Sequence, residues 1–558
     1  MIHSLHTYRF SKPGKCFLLL LFIGCFGSFK SIRAQWSNNS TINNTIAVAA
    51  AGDYKNEPRI ISDGAGGAII AWYDNRNGIF NADIFVQRIS AAGAVQWTVN
   101  GAAVSTAAND QYLPSLVSDG AGGAIITWQD FRNGTSNPDI YAQRVNASGS
   151  PQWTANGVII SAAANEQFPP SIVADGAGGA IITWQDQRNT SNSDIYAQRI
   201  NASGSVQWTP DGLLISGASN SQGAPNIASD GGNGAIITWQ DFRSNTNSDI
   251  YAQRIDGSGN IQWIGDGIVI SNAGNDQYFP TIIADGANGA IITWQDFRSG
   301  IADIYAQRVN NAGSVQWTAN GVAVCTASDY QYNPILASDG ANGAIVTWYD
   351  FRNSNLDIFA QRVNAAGLVQ WTPNGVAIVT TPEEQKEPAI IADGAGGAII
   401  TWQDSRSGAG DVFAQRINAS GSVQWNSNGV AIGNSTARDE NKPRLVSDGA
   451  NGAIITWYAY DIPNYSKSDI FAQKVNANGS LDNGSSPCPA LLTLASPSDD
   501  YSSGAITKQA NAASGTIQAT NVISGSSNVT YEAKTTELKP GFRAENGVVF
   551  KVQIGGCN

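Results

Sequence analysis

The chain has 558 residues, with 32 basic and 44 acidic side chains and a formal net charge of −12. Residues 1–34 hold five of the basic residues, none of the acidic ones and both histidines, His3 and His6, so the remainder carries 27 against 44, a net of −17. So acidic a surface disfavours nucleic acid and anionic lipid as partners, and a chain without histidine has no Ser-His-Asp or Cys-His catalysis and no His-ligated zinc or haem.

The first 34 residues read as an export signal. Arg9, Lys12 and Lys15 precede an apolar run from Cys16 to Phe29, and Ile32-Arg33-Ala34 sets a small residue before a cut at Gln35. The run is too short and wrongly flanked to be a membrane span. Phe22-Ile23-Gly24-Cys25 leaves open a second route, lipidation at Cys25. No later stretch is long and apolar enough to cross a bilayer, and the expected partners are a glycan or a surface protein met by a monomer.

From residue 35 to 478 the chain is a tandem array. An Asp-Gly pair recurs at Asp63, Asp119, Asp175, Asp230, Asp285, Asp339, Asp393 and Asp448, at steps of 56, 56, 55, 55, 54, 54 and 55 residues. A near-constant step means one supersecondary unit repeated. In the second copy four β-segments are predicted. They are Pro114 to Ser118, Ala124 to Asp130, Ile140 to Val145, and a fourth around Gln152-Trp153 that continues through Gly157 to Ser161. Gly-rich turns, Asp119 to Gly123 and Asn146 to Ser150, join them, and no helical periodicity of useful length occurs. Four strands in about 55 residues make a propeller blade, so the fold class is all-β: an eight-bladed β-propeller with a small C-terminal stacked β-domain.

The 16 tryptophans all belong to the repeat, one set on the second strand (Trp128 and its counterparts) and one on the fourth (Trp153 and its counterparts). An indole buries on the order of 150–250 Å², a gross upper bound of ~4–6 kcal/mol at about 25 cal/mol per Å². Both sets are expected in the core. The phase of the ends predicts closure. Gln35-Trp36 matches a fourth strand with no first three before it, while Pro443 to Val475 has three strands and no Gln-Trp after them. The N-terminal segment is therefore expected to supply the outer strand of the last blade, with Trp36 packed in the blade of Trp457.

The order Pro-x-Ile, Asp-Gly, Trp-x-Asp, Asp-Ile-Tyr and closing Trp resembles the blades of sialidase-type bacterial propellers. The hairpin Tyr141 to Trp153 is similar to the tryptophan-docking repeat of PQQ-type propellers. Both likenesses are of blade pattern and imply no activity. From Cys488 to Cys557, the segments Thr516-Ile517-Gln518-Ala519, Val529-Thr530-Tyr531-Glu532-Ala533, Leu538-Lys539-Pro540-Gly541-Phe542 and Phe550 to Cys557 resemble the 3-coathanger stack domain of exported Bacteroidetes proteins. That resemblance implies an exported, surface-associated protein of that bacterial group. Residues 479–487, rich in Asn, Gly and Ser, are the expected linker, and residues 488–558 the terminal domain. Cys488 and Cys557 bracket that domain and are the expected disulfide. Cys325 stands where other copies have Ser (Ser161, Ser216, Ser271) and is expected to be a small buried residue.

Across the copies the turns Asp-Gly-x-x-Gly and Asn-Ala-x-Gly-x hardly change, whereas the loops from fourth to first and from second to third strand vary. These variable loops share one propeller face, the expected binding face. Candidate ligand residues are Tyr112, Tyr278 and Tyr332 beside those loops, and five regular pairs: Asp130 with Arg132, Asp186 with Arg188, Asp241 with Arg243, Asp296 with Arg298, and Asp350 with Arg352. Each pair, with Asp139 and Arg144 and their counterparts nearby, could hydrogen-bond a glycan or tie a loop to its own blade. No metal or other cofactor is expected. Calcium at the Asp-Gly-Ala-Gly-Gly turns would find one carboxylate per turn, few oxygens for that ion. Glu57, Glu166, Glu383, Glu384, Glu387 and Glu440 are blade-specific carboxylates from which a glycosidase could draw a pair, although no spacing selects one. The expected function is an exported, non-catalytic binding or adhesion protein recognising polysaccharide or a protein partner. The alternatives are a glycoside-cleaving enzyme and a structural cell-surface component.

Overall fold

The computed structural model describes residues 36–50, 52–134, 136–189, 192–481, 491–496, 500, 502, 505–509, 516–546 and 548–554. The expected export signal, Cys25 and the Cys488–Cys557 disulfide lie outside the described residues. No described helix is long and apolar enough to cross a membrane.

Eight four-stranded antiparallel sheets, the blades, form a ring among the described residues. In blade two the strands, from the axis outward, are Gln111–Ser118, Ala124–Asp130, Asp139–Val145 and Val158–Ser161. The second strand is buried at all seven positions, as its unbroken Ala-Ile-Ile-Thr-Trp run predicts. Its one hydroxyl, Thr127 Oγ1, is satisfied by donating to Tyr141 O at 2.8 Å.

Two strand assignments differ from expectation. The first strand begins before the proline, at Gln111, because a bulge between Tyr112 and Ser115 absorbs it. The residue ahead of the proline takes a left-handed conformation, as at Leu113 (φ 54°) and Phe279 (φ 53°). In blade three this position is Pro169, whose ring forbids positive φ, and there the strand is only Ser171–Ala174. The second difference concerns Trp153, which precedes the outer strand and lies outside it. Its segment is held by the buried Gln143 side chain, which accepts from Trp153 N at 2.9 Å and donates to Thr154 O at 2.8 Å. A side-chain amide thus does what a ladder would do.

Blades join through these outer indoles. Trp97 Nε1 donates to Ala147 O (3.0 Å), Trp153 to Ala202 O (3.1 Å), and Trp208, Trp263, Trp317, Trp371 and Trp425 likewise to Gly257, Asn311, Ala365, Ala419 and Ala477. Each acceptor lies in the Asn-Ala-x-Gly turn of the following blade, or its variant there. Glycine is required in that turn. Gly149 has φ 81°, and a Cβ on it would sit 2.6 Å from the Trp97 ring. Arginine adds a second tie, Arg144 Nη1 to Ala202 O at 3.1 Å.

The N-terminal segment completes the circle. Asn44–Ala47 pairs antiparallel with Ser468–Val475, as the outer strand of blade eight. Trp36 is 1% exposed, and its Nε1 reaches Ala91 O in blade one at 2.9 Å. The segment therefore belongs to the blade of Trp457, as expected, while its indole docks on the next blade like every other outer tryptophan. Blade eight also departs from the repeat inside. Ala459 stands where the other blades have Asp, and the fully buried Glu440 accepts from Asn43 Nδ2 of the clasp at 2.6 Å.

Gly479, expected in the linker, lies in blade eight's last turn, under Trp425. Beyond it, three short parallel sheets stack into a small solenoid. Leu491–Leu494, Thr516–Ala519 and Thr535–Leu538 form one, and Ala505–Gln509, Asn528–Ala533 and Val549–Ile554 another. Val522–Ile523 and Arg543–Ala544 make the third. Its core is Leu494, Ile517, Ile523, Val529 and Tyr531, with Phe542 and Phe550 packed against it. The buried Tyr531 hydroxyl is paired with Asn521 Oδ1 at 2.8 Å.

Two substitutions test the docking scheme by thermal and denaturant unfolding. Trp36→Ala should cost about 3–5 kcal/mol, the range for truncating a buried aromatic. Gly149→Ala should cost about 2–4 kcal/mol through left-handed strain and overpacking against Trp97. Wild-type stability in either variant would contradict the scheme.

Candidate functional site

The five Asp/Arg pairs turn inward on their own blades. Asp130 is fully buried and accepts from Trp128 Nε1 at 2.7 Å, while Arg132 grips it through Nε (2.8 Å) and Nη2 (2.6 Å). The same guanidinium donates to Asn156 O at 2.7 Å and lies 3.8 Å from the centroid of the Tyr141 ring. Asp186 with Arg188, Asp241 with Arg243, and Asp350 with Arg352 repeat this arrangement.

Blade five repeats the arrangement. Arg298, a candidate for a glycan contact or for a tie to its own blade, binds the buried Asp296 through Nε (2.8 Å) and Nη2 (2.6 Å), donates to Asn320 O at 2.7 Å and lies 3.7 Å from the centroid of the Tyr305 ring. Asp296 in turn accepts from Trp294 Nε1 at 2.7 Å. Of the two roles the sequence allowed these pairs, the geometry displays the tie: each fastens the second-to-third loop to the turn before the outer strand. A bidentate fork laid on an aromatic ring fixes the guanidinium in place through Nε and Nη2.

The Asp-Gly turns are also occupied. Asp119 Oδ1 accepts from the amides of Ala121 and Gly123, both at 2.8 Å, and Oδ2 pairs with Arg144 at 2.9 Å. Both oxygens that calcium would use are bonded, and among the described residues no group of three or more His, Cys, Asp or Glu is placed to hold a metal. Cys325 is buried as expected, and burial pushes its thiol up to about 12.

The two variable loops do meet at one face: Phe131 N of one donates to Asp110 O of the other at 2.9 Å. Aromatic side chains pack together among these loops and the first-strand residues beside them. Tyr112 packs edge-on against Tyr73 and Phe131, Tyr278 packs edge-on against Phe297 and tilted against Phe242 and Phe279, and Tyr332 lies parallel to Tyr330 at 5.5 Å. Phe279 and Tyr465 remain about half exposed, at 51% and 49%. The predicted tyrosines thus share this rim, whereas the Asp/Arg pairs are embedded in the blades.

The axial channel holds a cavity of about 540 Å³, lined by first-strand residues of blades six, seven, eight, one and two and by Tyr349 of the second strand of blade six. It holds charges that no spacing in the sequence brings together. The residue after the first-strand proline is Arg59 in blade one and Arg444 in blade eight, but Ser115, Ser171, Asn226, Thr281, Ile335 or Ala389 elsewhere. The residue before it is Glu57, Lys442 and Glu387 in blades one, eight and seven, and uncharged in the others. Ring closure makes these three blades neighbours. Lys442 pairs with Glu57, and Arg444 Nη2 lies 3.7 Å from Glu387 Oε2. Arg59 has no hydrogen bond or ion pair among the described residues, so its donors face the cavity. Burial and the neighbouring Arg444 lower its pKa to about 10, which leaves it charged at neutral pH. Glu57 and Glu387 are thereby singled out from the six candidate carboxylates. Glu440 is buried at the clasp.

A second carboxylate in each of blades one to seven gives the protein a pH response. Burial, opposed by an Asn133 hydrogen bond and reinforced by the nearby Asp130, pushes Asp139 up to about 6. Burial likewise pushes Asp83 and Asp249 to about 6 and raises Asp194, Asp303, Asp357 and Asp411. Asp83 Oδ1 and Asp139 Oδ1 have no hydrogen-bond partner among the described residues. Each such carboxyl holds its proton more tightly folded than unfolded. The stability it contributes is present below its unfolded value of about 3.9 and is lost as pH rises through its folded value, about 6 for Asp83, Asp139 and Asp249. The melting temperature should therefore be higher at pH 5 than at pH 7.5, and Asp83→Asn/Asp139→Asn/Asp249→Asn should flatten that slope. A melting temperature that falls on acidification to pH 5 would contradict this.

No protein-family model matches the chain, and no curated protein matches it. Among solved structures, a polysaccharide lyase of family PL25, an ulvan lyase, is similar at 8% identity, 78% of this chain, 96% of its own and a TM-score of 0.44. A protein of unknown function from Dyadobacter fermentans matches at 11% identity over 55% of this chain and 93% of its own, with a TM-score of 0.32. The Penicillium chrysogenum α-L-arabinanase matches at 12% identity over 55% and 92%, with a TM-score of 0.33. At these scores the likenesses assign this chain no ligand and no reaction.

Proposed function

We propose that this is an exported, non-catalytic carbohydrate-binding protein that takes a polysaccharide on the variable-loop face of its propeller. The observation that carries this is the set of partly exposed aromatic side chains among the variable loops, Phe279, Tyr330, Tyr332 and Tyr465, on a propeller that also holds a charged channel cavity. Flat apolar faces beside convergent polar groups suit pyranose rings, whose two faces are apolar and whose edges are hydroxyls. The C-terminal solenoid, similar in sequence to surface-associated stack domains, fits display at the cell exterior.

Enzymatic cleavage of a glycoside is the second reading, and one observation favours it: Glu57 and Glu387 lie in the same channel quadrant. Against it, both carboxylates face cations, Lys442 and Arg444. Cleavage by a carboxyl pair needs one of the two to arrive protonated.

A glycan array and a hydrolase screen on the chain from Gln35 test the proposal together. Binding without turnover is expected, and Phe279→Ala or Tyr332→Ala should weaken it by about 1–2 kcal/mol, roughly 5- to 30-fold. Turnover, or binding that ignores the rim substitutions, would contradict it.

A further inference from the structure

The charged quadrant of the channel specifies more than a polar cavity. Its five charged residues come only from the three blades around the join. Four are matched in pairs, Lys442 with Glu57 and Arg444 with Glu387. The fifth, Arg59, leaves an unbalanced positive charge with open donors beside a second guanidinium, inside a protein whose residues 35–558 carry a net charge of −17. Arg444 is anchored by its Nη1, which donates to Pro443 O at 2.8 Å, but its Nη2 is held loosely by Glu387, because 3.7 Å is longer than the 2.7–2.9 Å of a firm charge-assisted hydrogen bond. Retaining such a cluster costs desolvation unless an anion completes it. Two planar forks that share one cavity match the flat, two-oxygen edge of a carboxylate or the oxygens of a sulfate.

Resting on the reading of the rim as a carbohydrate surface, we propose that Arg59 and Arg444 form an anion subsite for an acidic polysaccharide, one bearing carboxylate or sulfate groups. The sugar rings lie along the aromatic rim, and one acidic group enters the channel. The acidic remainder of the surface repels such a chain, so binding is confined to this quadrant. Glu387 competes with the ligand for Arg444. Because Arg59 belongs to blade one and Arg444 to blade eight, the subsite exists only when the N-terminal segment closes the ring.

Isothermal titration of the chain from Gln35 with four probes tests this: a mannuronate oligomer, a chondroitin sulfate oligomer, a neutral manno-oligosaccharide and poly-glutamate. One or both acidic glycans should bind more tightly than the neutral one, and the two acidic arms separate carboxylate from sulfate. Arg59→Gln and Arg444→Gln should each weaken acidic-glycan binding by about 10- to 100-fold. Glu387→Gln, which frees Arg444, should tighten it, an effect in the opposite direction that a merely damaged fold cannot produce. Equal binding of neutral and acidic glycans would overturn the anion subsite and leave the carbohydrate proposal standing. Binding of no glycan would overturn both. Tighter binding of poly-glutamate than of either acidic glycan would overturn the assignment to a polysaccharide.

Discussion

The ring depends on one contact made eight times, an indole from each blade laid over a glycine in the turn of the next and bonded to a carbonyl two residues before it. The contact is steric as much as polar. With φ near 81° and no Cβ, Gly149 leaves room for the Trp97 ring, and Ala147 O is thereby placed for its Nε1. Within a blade, Gln143 holds the indole's segment, and Asp130 with Arg132 holds the variable loop. Repetition of these devices lets loops change without loosening the scaffold.

A ring built from a linear array has one join, and here the join differs from the other seven contacts. Its outer strand comes from the opposite end of the chain, Glu440 and Asn43 take over where an aspartate is missing, and Lys55 is buried against Asp74 at 3.2 Å. The charged channel residues cluster in the blades on either side of it. Symmetry explains the fold, and its local failure is where the proposed anion subsite lies.

The same distinction governs what is legible in the sequence. Period, blade count, closure and the burial of the second-strand tryptophans follow from spacing and from the steric meaning of Gly and Trp. Trp153 reads as part of the fourth strand, whereas the backbone there is bonded by a side chain of the third strand ten residues back, Gln143. Pro114 reads as the start of a strand because proline removes a donor, but a bulge removes the need for one. The Asp/Arg pairs stand out through regularity, which is the mark of a structural fastening; Arg298, locked between Asp296 and the Tyr305 ring, is no more available than its counterparts. Arg59 and Arg444 are visible only as departures from the column of residues after the proline, and that two residues 385 positions apart are neighbours follows only from closure.

The closed join is the central claim, since both the fold and the charged quadrant depend on it. Native-state hydrogen–deuterium exchange reads it directly. The amides of Asn44–Ala47 should exchange as slowly as those of Val158–Ser161, the outer strand of an interior blade. Exchange of Asn44–Ala47 at the rate of an unstructured peptide, with Val158–Ser161 protected, would show the ring to be open and would separate Arg59 from Arg444.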